Sequence, residues 1–234
     1  MIALYNELIY KPLFNLAVFF YNILPGNDLG VAIIVLTVLV RIAFFPLTKK
    51  TIRSQKALSE LAPKIQEIKE KFKNDQTSQS AAIMKLYKEN GINPAAGCLP
   101  MLIQIPILFA LYKVFMNVAA FNAENSAWLY GFISNPGSIN KMFAGFLDLT
   151  SKNPLLAILA GVLQFIQAKE ASPRLADKKN AGFAGTTAFG SQMLYFFPIM
   201  IIIIGWNLPA GLMLYWITAT AFSIFEQRYI KNRQ

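Results

Sequence analysis

The chain has 234 residues, 55% of them hydrophobic and only 15% charged, whereas soluble domains run about 45–50% apolar even with glycine counted. With no His and a single Cys, a His-based triad, a multi-Cys/His zinc site and an intrachain disulfide are all excluded. The net charge of +10 would suit nucleic acid or an anionic membrane, so its placement along the chain decides.

Residues 1–27 come first. The apolar run from Leu13 to Leu24 follows Pro12 and is too short to span a bilayer. Glu7, the lack of a basic leading region and the lack of a small-residue cleavage site argue against a signal peptide. An amphipathic helix lying on the outer surface, stopped by Pro25-Gly26-Asn27, is the expected element. Residues 28–48 hold a first span, apolar over 31–47. Residues 49–92 form the one substantial water-soluble stretch. Leu58, Leu61, Ile65, Ile68 and Phe72 recur at steps of 3, 4, 3 and 4, a heptad-type stripe. A second helix over about 79–89 presents Ile83 and Leu86, the turn lies at Asn74 to Ser78, and Asn90-Gly91 is a stop. The expectation is a cytoplasmic helical hairpin, interrupted or bent at Pro63.

Residues 93–230 carry four more apolar stretches, at 98–118, 154–168, 192–206 and 210–225, and 231–234 form a short tail. The fold expected is all-α, a polytopic membrane protein with five transmembrane helices. Three of the five stretches fall below the usual minimum of about 17 residues. Either those helices run on into polar flanks, or the bilayer is locally thinned.

Orientation follows from the bases. Segments 48–97, 169–191 and the tail after 225 carry 17 of the 22 Lys and Arg residues, while the alternate loops hold only Lys11, Lys141 and Lys152. The positive-inside rule then places the N-terminus outside and the C-terminus in the cytoplasm. The basic balance is a topology signal, and DNA is not an expected partner.

Arg41 is the most informative residue, about 9 Å from the inner end of the first span. A central Arg costs about 2.5–3.5 kcal/mol on insertion scales and usually faces water or a partner. No acid falls within the spans, Glu226 being placed at the last helix end; Arg41 therefore reads as an unneutralised cation. Neutral polar groups lie at similar depth: Gln104, then Gln164 and Gln167, then Trp216, Thr220, Ser223 and Gln227 at steps of 4, 3 and 4. Lys113 is near enough the outer interface to snorkel. This distribution predicts a hydrophilic cavity open to the cytoplasm and closed outside. Isolated Gln, Thr and Ser also serve as interhelical glue, and charge runs as solvated faces.

Two stretches resemble the YidC/Oxa/Albino family of membrane protein insertases: residues 93–112, NPAAGCLPMLIQIPILFALY, and 208–216, LPAGLMLYW. Leu36 to Arg41, followed by Pro46-Leu47-Thr48, resembles the family's first conserved span. The resemblance covers about residues 5 to 230 through the order and intervals of these motifs. It implies an insertase core with a basic hydrophilic groove in which Arg41 is the groove arginine. It further implies a mobile cytoplasmic hairpin and cooperation with ribosomes or the Sec translocon. The family's bacterial Ser-Asn after the fifth-span Tyr-Trp is Ala219-Thr220 here. No counterpart of the large periplasmic domain of Gram-negative members is expected, and the residues from Glu226 on are shorter than the basic ribosome-binding tail of some relatives.

The function expected is insertion of nascent membrane-protein clients, with membrane lipids as surroundings, at the bacterial plasma membrane. Short polar client segments would pass through the groove, drawn by Arg41 where acidic. No Gly-rich phosphate loop is present, so hydrophobic partitioning and the membrane potential would drive the step. Neither a cofactor nor enzymatic chemistry is expected: no span offers a catalytic Asp pair, and Ser–His chemistry needs a His. A small-anion transporter or channel would also use a buried Arg, but the chain shows no internal repeat or paired broken helices.

Overall fold

The computed structural model describes residues 2–91, 99–171 and 186–232. Cys98, Arg174, Lys178 and Lys179 lie outside the described residues, as does the side chain of Gln104. The chain is mostly helical. Helix α1 (Ile2–Tyr5) passes through a π-helical segment (Asn6–Tyr10) into α2 (Lys11–Ile23). The wider turn falls just ahead of Pro12, which has no N–H to give an α ladder. Tyr10, Phe14, Ala17, Val18 and Tyr21 are buried at helical spacing, and they pack on α3 and α6 (below). The amphipathic helix expected here therefore buries its apolar face in protein.

Asp28 starts α3 (Leu29–Glu60), accepting the N–H groups of Gly30 at 2.7 Å and Val31 at 3.1 Å. At 1.5 Å per residue this helix is about 48 Å long. It continues through Pro46, and only Leu61 separates it from α4 (Ala62–Lys71), whose first turn holds Pro63. The first span and one arm of the hairpin are thus almost a single rod. Helix α5 (Gln76–Glu89) forms the other arm. Asp75 caps it by accepting from Thr77 and Ser78, so the helix begins three residues before the expected position. Neither arm contains a fully buried residue.

Then follow α6 (Leu99–Ala119), the short α7 (Ala123–Ser126), α8 (Pro154–Ala171), α9 (Thr186–Gly205) and α10 (Ala210–Asn232). One element departs from the all-α expectation. Strands β1 (Met142–Phe143) and β2 (Leu147–Asp148) pair antiparallel, Met142 with Asp148 and Phe143 with Leu147. Ala144 and Gly145 at φ 51° and 79° reverse the chain between them. The second Asp28 oxygen holds the turn by accepting the Ala144 N–H at 2.6 Å. Phe143 lies directly over Gly30, where a Cβ would come within 2.2 Å of its ring.

Helix α10 packs against both α3 and α8, and α8 against α9. Helices α3 and α10 run parallel, since Arg41 meets Ser223 and the rings of Phe45 and Tyr229 lie 6.3 Å apart. Of the expected short spans, α8 extends to Ala171 and α10 to Asn232, while α9 begins at Thr186. These helices do run on into polar flanks. Among the described residues, Leu29–Leu58 and Pro154–Ala171 are long and apolar enough to cross a membrane by length and composition; Leu108–Ala119 and Leu194–Gly205 are shorter apolar helices. Leu155, Val162, Phe196, Ile199 and Ile203 stand exposed on α8 and α9, the apolar outer face that a lipid-embedded bundle needs.

Candidate functional site

The polar groups gather in the half of the bundle nearer the hairpin. Arg41 lies on α3 at the face that meets α10, and its Nη1 donates to Ser223 Oγ at 2.8 Å. Thr220 and Ser223, one turn apart, are both buried. The next turn of the same face carries Glu226, only 1% exposed. Both Glu226 carboxylate oxygens and Gln227 Oε1 are buried without a hydrogen-bond partner.

A second polar chain links α10 to α8. Trp216 Nε1 donates to Gln164 Oε1 at 3.1 Å, and Gln164 Nε2 donates to Gln167 Oε1 at 2.9 Å. Farther toward the hairpin end, Arg228 gives Nε and Nη2 to Glu170 Oε1 at 2.9 and 2.5 Å. Lys231 Nζ donates to the Glu170 carbonyl. Helix α10 is the common wall, offering a neutral indole to α8 and a hydroxyl to the α3 guanidinium.

The opposite half is mainly apolar. A cavity of about 30 Å³ between α2, α3, α6 and α10 is lined by Leu29, Ile33, Leu36, Val118 and Leu212, among others. Thr37 on its wall spends its hydroxyl on the Ile33 carbonyl at 2.6 Å. With so few free polar groups the space has little to hold a water. Beyond it, Tyr10, Phe14, Phe121 and Trp128 stack and meet edge to face. Asn15 ties α2 to the following loop, donating to the Trp128 carbonyl and accepting the Tyr130 N–H. Tyr21 Oη accepts the Asn140 N–H, and Asn22 donates to the Ser134 carbonyl.

Of the residues singled out in the sequence, the structure joins Arg41 with Ser223, and Trp216 with Gln164 and Gln167. Thr220 is buried on the α10 turn between those two contacts. No hydrogen bond joins the two groups among the described residues, and Gln104 sits on α6 with its side chain outside them. The reading of Arg41 as a cation without a carboxylate nearby needs correction. Glu226 is buried on the same α10 face, one turn beyond the Ser223 that Arg41 contacts, although no ion pair joins the two among the described residues. The error came from ending the last span at 225, where hydropathy falls, although the helix ladder continues to Asn232. The spacing held the signal, because Glu226 is three residues beyond Ser223 and so on its face. Among the described residues no three His, Cys, Asp or Glu side chains converge to hold a metal ion.

A family model described as "60Kd inner membrane protein" matches residues 19–234. A protein of Geotalea daltonii named "Membrane protein insertase YidC" is 37% identical over 225 residues, 95% of this chain but 37% of that protein. The chain therefore spans little more than a third of that relative's length. A Bacillus anthracis protein named "Membrane protein insertase YidC 2" is 35% identical over 98% of this chain and 82% of its own length. A crystal structure described as an active YidC insertase with the first transmembrane domain resolved superposes with a TM-score of 0.61 at 27% identity. It covers 94% of this chain and 45% of that one.

Proposed function

Because the chain belongs to the 60Kd inner membrane protein family, we propose that it is a membrane protein insertase that moves short polar segments of nascent clients across the bilayer. The observation that carries this reading is the Arg41–Ser223 contact, set in a polar half-bundle whose other half is filled with apolar side chains. An arginine that spends one donor on a neutral hydroxyl keeps further N–H groups for a visiting carboxylate.

In this reading five helices cross the membrane, α3, α6, α8, α9 and α10, with the hairpin and the C-terminus in the cytoplasm. Seventeen basic residues on that side support the orientation. A polar client segment enters from the hairpin end, where Gln104, Gln164, Gln167, Trp216, Thr220 and Ser223 replace part of its hydration. Arg41 draws its acidic groups, and exposed apolar faces such as that of α9 receive the adjoining hydrophobic stretch. The force comes from partitioning of the client helix and from the membrane potential, worth about 2.3 kcal/mol per charge per 100 mV. An inside-negative potential pushes acidic segments outward, the same sign as the arginine's attraction. Clients are nascent membrane proteins; ribosomes and the Sec translocon would deliver them.

The test is photocrosslinking from probes at Gln104 and Trp216 to a client translated onto proteoliposomes, with a lipid-facing probe at Phe196 as reference. Adducts from the two groove positions to the client's polar segment are expected. Adducts from Phe196 alone would defeat the groove reading. A small-anion channel also needs a buried Arg, but the packed aromatic end argues against an open path among the described residues. Anion flux through the protein in sealed liposomes is expected to match that of empty ones.

A further inference from the structure

Glu226 has no role in the arrangement just described. Its side chain is buried, and no donor reaches either oxygen. An ionised carboxylate so placed is costly unless a cation stands close. The two cations of α10 itself are committed elsewhere, Arg228 to the Glu170 carboxylate and Lys231 to the Glu170 carbonyl. Arg41 stands at the same interface, one turn away, resting on Ser223. Three residues of helix are about 4.5 Å, a distance that rotations of the long arginine stem can cover. Gln227 Oε1, the neighbouring orphan acceptor, would take a second N–H from the same planar fork, which carries five donors.

We propose that Glu226 is the resident counter-ion of Arg41: it holds the guanidinium while the groove is empty and competes with a client's acidic groups for it. Glu226 is then a specificity-determining residue. It sets how strongly a client must be charged before Arg41 leaves its own chain. The proposal rests on the insertase reading for its consequence, though not for the pairing itself.

Two measurements test it on the full chain in lipid. In proteoliposomes, Glu226→Gln should speed insertion of clients led by a single Asp or Glu by about threefold, the scale of a modest charge competition. Clients with apolar leaders should be unaffected, and the gain should vanish in an Arg41→Ala background. An equal change for all clients, or a gain that persists without Arg41, overturns the proposal. Infrared difference spectra against Glu226→Gln, in mildly alkaline buffer, read the pairing without any client. Glu226 should be ionised beside Arg41 and protonated in Arg41→Ala; the same state in both overturns the proposal. Failure of the parent protein to insert any client would sink the insertase reading, and the spectra would still decide the pairing.

Discussion

Arg41 and Ser223 meet across the parallel α3–α10 interface with Nη1 2.8 Å from Oγ. Removing the guanidinium should therefore be selective. Arg41→Ala is expected to lower insertion of acidic-led clients about tenfold, the value of a lost charge-assisted bond of about 1.5 kcal/mol. Apolar-led clients should change little, and Arg41→Lys should retain most activity. Equal insertion of every client by folded Arg41→Ala protein would remove the electrostatic step.

The Trp216–Gln164 bond joins two helices. In the cycle of Trp216→Phe, Gln164→Leu and the double variant, the coupling should be about 0.6 kcal/mol, the average for such bonds in membrane helices. Unfolding in mixed micelles measures it, and additivity of the two variants would show that the bond contributes nothing.

Gly161 on α8 faces α9 with no room for a side chain. A Cβ there would stand 2.3 Å from Ile202 Cγ1 and 3.0 Å from the Pro198 carbonyl oxygen. The side chain can rotate, but the carbonyl cannot. Gly161→Val is expected to cost about 1–3 kcal/mol by overpacking. Gly131→Ala, with nothing within 4 Å, should leave thermal stability unchanged.

Asp28 serves two elements at once, the first turn of α3 and the tip of the β1–β2 ribbon. Asp28→Ala should destabilise by about 1–2 kcal/mol, the range for a lost cap. Limited proteolysis should then cut near Ala144–Gly145 sooner than in the parent protein.

How much of this was legible in the sequence depended on the range of the interaction. Periodicity marked both hairpin arms and the face of α10 carrying Thr220 and Ser223, because those patterns are local. Hydropathy ended the last apolar stretch at 225, although a helix ladder does not stop where its side chains become polar, so Glu226 was read at the helix end and not on the buried face. The ribbon left no trace, because two-residue strands have no period and are held by Asp28, 116 residues away from Ala144. The pairing of Trp216 with Gln164 was equally hidden, since it requires the rotational setting of two helices 52 residues apart.

Asp75 offers a pH test outside the bundle. The Ser78 hydroxyl, then the Ser78 and Thr77 N–H groups, hold its carboxyl below the usual range. A group with a depressed folded pKa stabilises above its unfolded value and loses that contribution as pH falls through the folded one. The first turn of α5 should fray on the acid side of the ordinary carboxylate range, and Asp75→Ala should remove that dependence. Amide exchange at Thr77 and Ser78 reads it, and an unchanged acid profile in Asp75→Ala would discount the cap.

Leu61 is the first break in the rod that carries Arg41. It stands twenty residues farther along, about 30 Å by helical rise. Swivelling of α4 and α5 about that joint would leave the guanidinium in place. Capture by the hairpin and charge reading at the arginine could then be mechanically independent events, separated by a length that an unfolded client segment must bridge before the second can begin.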